Sequence, residues 1–176
     1  MTKNQRLVYI ALLAAQAVII SLLERAIPFP FAIAPGAKLG LANVITCIAL
    51  YTLSTKDTVK VITIRLILAT LLGGTISTFM YSAAGALLSF IGMWSVKGLG
   101  PSRVSLIGVS VTGAVLHNLG QLFIASWIAQ TWTVLLYLPV LSFIGILSGI
   151  AIGIFANYLL TNVEKLYYYQ YLQKMT

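Results

Sequence analysis

Apolar positions run in six long stretches, at about residues 7–27, 39–53, 59–73, 76–96, 104–129 and 132–162, separated by short polar or Pro/Gly-bearing connections. Runs this long, with few charges, predict membrane helices rather than one buried face of a soluble helix. The expected fold class is therefore all-α: a polytopic membrane protein with six transmembrane helices in a single integral domain over residues 1–176. The second and third runs are short. Fifteen helical residues rise ~22 Å, less than the ~30 Å of a hydrocarbon core. Short or Gly/Pro-interrupted spans are where the sequence of a transporter points to its site.

Charge gives the orientation. Lys3 and Arg6, Lys56 and Lys60, Lys97 and Arg103, and Lys165 and Lys174 fall on alternate gaps. That pattern is the positive-inside signature, and it places both termini in the cytoplasm. The opposite face then carries residues 28–38, the Gly73-Gly74 turn, and a short turn near Gln130 and Thr131. The first helix is expected to be retained, because Glu24 and Arg25 follow an apolar run too long for a signal-peptide core.

Composition agrees. The chain is 60% hydrophobic and 8% charged, against about 25% charged in soluble domains. The net charge of +8 is dispersed in pairs, with no basic stripe for nucleic acid. Cys47 is the single cysteine and lies in an apolar run, so neither a disulfide framework nor a zinc site is expected. No metal and no cofactor are expected.

Small residues mark helix contacts. Gly145, Gly149 and Gly153 recur every four positions, Ser82, Gly85, Ser89 and Gly92 make a similar small-residue face at steps of three and four, and such faces admit a second backbone closely. Ala11 and Ala15 form a shorter step on the first helix, open to intramolecular packing or to a second subunit. The segment PFPFAIAPGAK between the first two helices is stiff and non-helical, and is expected to fold over the bundle as a lid or to lie at the headgroups through Phe29 and Phe31. The tyrosines at 167–169 and 171 read as an aromatic belt.

The polar residues within the apolar runs map to the central or outer half of the derived topology. Candidate solute-binding residues are Lys38, Asn43, Arg65, His117, Asn118 and Gln121, with Glu24 and Arg25 near them. Polar and charged groups are too costly to face lipid and must face protein or a cavity. Lys38 stands where an extended segment enters a helix, whose free N–H groups favour an anion. Two plainer readings stand beside these. His117, Asn118 and Gln121 could join helix five to its neighbours, and Glu24 could close the loop by pairing with a cation.

Missing machinery narrows the function. There is no G-x-x-x-x-G-K-[ST] loop for nucleotide. The acids are Glu24, Asp57 and Glu164, no two of them close in sequence, so a carboxylate-held Mg²⁺ for prenyl or phosphoryl transfer is not expected. The chain reads as a non-enzyme.

The stretches Pro35-Gly36-Ala37-Lys38-Leu39-Gly40-Leu41-Ala42-Asn43 and Gly113-Ala114-Val115-Leu116-His117-Asn118-Leu119-Gly120-Gln121 resemble bacterial Gx transporters, also labelled heptaprenyl diphosphate synthase component I. The likeness runs over roughly residues 7–162. In size, helix number and internal termini the chain also looks like the substrate-binding S component of an energy-coupling factor (ECF) importer. That resemblance implies a vitamin-uptake type of role in the bacterial cytoplasmic membrane. It implies a ligand bound near the outer face beneath the first loop, and docking through Ala11 and Ala15 onto a membrane coupling subunit served by two ATPase subunits. The expected substrate is a small anionic compound, vitamin-like or related to prenyl or quinone chemistry. Lys38 and Arg65 would neutralise it, and Asn43, His117, Asn118 and Gln121 would hydrogen-bond its polar remainder. Two alternatives stay open: a non-transporting membrane accessory protein of an isoprenoid, quinone or redox system, and a stand-alone secondary carrier.

Overall fold

The computed structural model describes residues 2–26 and 40–163. Among these, all regular structure is helical: α1 Lys3–Ala26, α2 Asn43–Thr52, α3 Thr55–Leu71, α4 Ile76–Lys97, α5 Leu106–Ile128 and α6 Leu138–Asn162, with a 3₁₀ segment, Trp132–Tyr137, leading into α6. Four stretches are long and apolar enough to cross a membrane: Lys3–Ala26, Ile76–Lys97, Leu106–Ile128 and Trp132–Asn162. Their outward faces carry exposed apolar side chains such as Leu7, Leu12 and Ile19 on α1 and Phe143, Leu147 and Ile154 on α6. A soluble monomer rarely exposes contiguous apolar surface on this scale. The chain has the surface of a membrane protein.

The centre of the bundle is α5, held between α4 and α6, while α1 packs along α3. Glycines set the spacing. A Cβ on Gly149 would stand 2.7 Å from Val111 Cα, one on Gly153 2.8 Å from Ile107 Cα, and one on Gly120 2.6 Å from the Ala84 carbonyl oxygen. The expected four-residue glycine face of α6 is therefore the α5–α6 contact.

The short helix α2 is the inner element. It touches all five other helices, and nine of its ten residues are buried. Ten residues rise only ~15 Å, about half a hydrocarbon core, so α2 begins partway along the bundle. Its C-terminal end lies beside the start of α1, where the Tyr9 and Thr52 hydroxyls are 2.9 Å apart. Lys97 Nζ donates to the Leu50 carbonyl at 2.5 Å and lies 4.8 Å from the Tyr51 ring centre.

The third helix starts earlier than the sequence pattern suggests, at Thr55 rather than near 59. Ser54 is its N-cap: its Oγ accepts from the Asp57 amide at 3.4 Å and donates to Asp57 Oδ2 at 3.0 Å. The charged residues expected to form a turn are instead the first turn of a capped helix. Asp57 is buried there by Arg6 and Lys60, which pair with its two carboxylate oxygens. Arg6 also donates to Ser54 Oγ at 3.1 Å. Burial alone raises the Asp57 pKa, but hydrogen bonds from Lys60, Arg6 and Ser54 outweigh it and hold the carboxyl below its ordinary value.

Candidate functional site

The residues entering α2 build the site. Gly40 has φ +80°, a left-handed conformation that a side chain rarely adopts. The chain then turns through Asn43 N to Gly40 O (2.9 Å) and Val44 N to Leu41 O (3.1 Å). Ala42 occupies the N-cap position and supplies no side-chain acceptor. The acceptor comes from α1 instead: Glu24 Oε1 takes the Gly40 amide at 2.5 Å and the Leu41 amide at 3.2 Å. A carboxylate at the start of α2 also complements the helix dipole. Glu24 is thus bound to the backbone just before α2, whatever its other contacts.

Beside this junction lies a small cavity lined by Glu24, Arg25, Gly40, Arg65, Ser82 and His117, among others. Its free space is about 20 Å³, room for a water molecule or two. His117, halfway along α5, is fixed by two glycines. A Cβ on Gly40 would meet its Cδ2 at 3.0 Å, and a Cβ on Gly85 of α4 would meet its Cε1 and Nδ1 at 2.8 Å. The same Gly40 position would meet Asn43 Nδ2 at 3.1 Å, so Asn43 and His117 converge on one glycine.

Burial makes these groups notable. Arg65 is 5% exposed, Asn43 2% and His117 3%. Arg65 Nε and both amide atoms of Asn43 have no hydrogen-bond partner among the described residues. Buried polar groups are ordinarily satisfied. Arg25 Nε is likewise unpartnered among the described residues, while its Nη2 donates to the Ala69 carbonyl at 2.8 Å, in the last turn of α3, where a cation suits the helix end.

The other sequence candidates separate. Asn118 donates from Nδ2 to the Leu141 carbonyl at 2.7 Å, joining α5 to α6, and Gly145 leaves room for it. Gln121 is buried one turn beyond His117, outside the cavity lining described above. Lys38 lies outside the described residues, as do the segment 28–38, Lys165, Lys174 and the tyrosine-rich tail. Ala11 and Ala15 are exposed on α1, and Gln16 beside them is also exposed. Sequence reasoning did not find Gly85 as a wall of the His117 pocket, nor Glu24 as the cap of α2. Among the described residues, no three His, Cys, Asp or Glu side chains gather to hold a metal.

A family model described as heptaprenyl diphosphate synthase component I matches residues 13–159. No curated protein and no solved structure matches the chain.

Proposed function

We propose that this chain, which belongs to the heptaprenyl diphosphate synthase component I family, is the solute-binding membrane subunit of an ECF-type importer for a small anion, vitamin-like or related to prenyl or quinone chemistry. The observation that carries the reading is the buried, incompletely satisfied polar set at the start of α2, Arg65 and Asn43, next to the cavity lined by Arg65 and His117. A half-length helix beginning partway along a membrane bundle turns its positive dipole end toward this cavity, although its first amides are already tied to the Gly40, Leu41 and Ala42 carbonyls. Helical spans with buried cations suit a solute site better than a surface for nucleic acid or a metal-dependent transferase.

On this reading the chain is non-catalytic, has six spans with both termini in the bacterial cytoplasm, and needs partners. Ala11 and Ala15 would receive the coupling subunit, and Gln16 on the same exposed face suits a polar contact with a protein helix better than lipid. Proteoliposomes test this. A solute recovered with the chain should accumulate only when the coupling subunit, both ATPases and ATP are present; accumulation by the chain alone under an ion gradient would contradict the proposal.

A further inference from the structure

The start of α2 already holds an anion, and the protein supplies it. Glu24 Oε1 accepts the Gly40 and Leu41 amides, the position where a helix N-terminus would bind a carboxylate or phosphate of a ligand. Two further observations show that the surroundings have binding capacity left over. Arg65 lines the cavity with Nε unpartnered, and Asn43, the first residue of α2, leaves both amide atoms unpartnered. Both side chains are more than nine-tenths buried.

We propose that Glu24 is a built-in competitor for the solute: its carboxylate occupies the anion position in the empty protein, and an anionic oxygen of the solute takes its place on the Gly40 and Leu41 amides, beside Arg65. This rests on the solute-site reading of the same cavity. Among the described lining residues the cations Arg25 and Arg65 outnumber the one carboxylate, Glu24. A carboxylate or phosphate group on the solute suits that excess. Displacing Glu24 also breaks the contact between α1 and the Gly40 and Leu41 amides, so binding is coupled to that α1–α2 junction.

The test uses the full chain in lipid nanodiscs, as wild type, Glu24→Gln and Arg65→Gln, with benzoate and inorganic phosphate as probes. Two quantities are read: probe affinity, and hydrogen exchange at the Gly40 and Leu41 amides. Replacing the carboxylate by an isosteric amide weakens a charge-assisted hydrogen bond. Glu24→Gln should therefore speed exchange at both amides in the empty protein and bind a probe about tenfold more tightly, while Arg65→Gln should weaken probe binding. Faster exchange with unchanged or weaker binding, or unchanged exchange, would overturn the competitor role while leaving the cavity as an anion site. Failure of wild type and Glu24→Gln alike to bind either probe would sink the solute-site reading and this inference with it.

Discussion

Lys97 Nζ, at the end of α4, donates to the Leu50 carbonyl near the end of α2 at 2.5 Å. At the other end of α2, Glu24 accepts the Gly40 and Leu41 amides. A ten-residue helix buried in the bundle has lost water as a partner for its terminal backbone groups. Opposite charges from α1 and α4 replace it, each with the sign that the helix dipole favours. The half-length helix that begins at the site is thereby held from both sides.

Replacing Lys97 by Met keeps the apolar stem and removes the donor. A hydrogen bond from a charged group to a buried carbonyl contributes about 2 kcal/mol, so Lys97→Met should lower the thermal midpoint in nanodiscs by several degrees. Solute binding should survive, because the change is at the far end of α2. An unchanged midpoint would mean that the Lys97–Leu50 contact contributes nothing to stability.

Two glycine substitutions should differ in cost. A Cβ on Gly149 meets backbone, Val111 Cα at 2.7 Å, whereas one on Gly92 meets the tip of a flexible side chain, Leu116 Cδ1 at 2.1 Å. Gly149→Ala should therefore destabilise by about 1–3 kcal/mol as α5 and α6 are forced apart. Gly92→Ala should cost less, since Leu116 can rotate and Ala is ~1 kcal/mol the better helix former. Chemical or thermal denaturation of the two variants decides the order.

Asp57 predicts an acid limb in stability. Its folded pKa lies below the unfolded value, with burial opposing and Lys60, Arg6 and Ser54 prevailing. Its contribution is thus fully present above the unfolded carboxylate pKa, about 4, and is lost as pH falls through the lower folded value. Wild type should exceed Asp57→Asn in thermal stability at neutral pH, and the gap should close in acid. A gap independent of pH would show that packing, not the charge, sets the Asp57 contribution.

Much of the fold was legible because membrane helices are written as apolar length, and the α6 glycines announce a close neighbour by spacing alone. The shortness of the second helix was also legible, and so was the convergence of Arg65 and His117 on one region, since buried charge in an apolar run must find a cavity or a partner. The start of α3 was hidden because charge near 56–60 resembles a cytoplasmic turn. The Ser54-x-x-Asp57 spacing was the signal that could have corrected it. Glu24 capping α2 was not legible: its partners are backbone amides, which carry no residue code. Asn118 and His117 are adjacent in sequence, yet one reaches α6 and the other lies against Gly40 and Gly85, a difference decided by the 100° step between successive helical residues.

Partner docking can be separated from folding on α1. Ala11 and Ala15 are exposed, so Ala11→Leu with Ala15→Leu should leave the thermal midpoint of the isolated chain within about 0.5 kcal/mol equivalent, as for ordinary surface changes. The same pair should abolish co-purification with a membrane coupling subunit by blocking close helix approach. Unchanged co-purification would remove this face from the interface.

The central claim is that the buried polar set at the start of α2 holds a small anion. The most direct measurement is mass spectrometry of the chain purified gently from its native membrane, beside folded Arg65→Gln and His117→Ala variants. The account predicts a stoichiometric small anion on the wild type that is depleted in both variants. A wild type that is empty and carries redox or isoprenoid-synthesis proteins instead, or variants that retain the same anion undiminished, would contradict it.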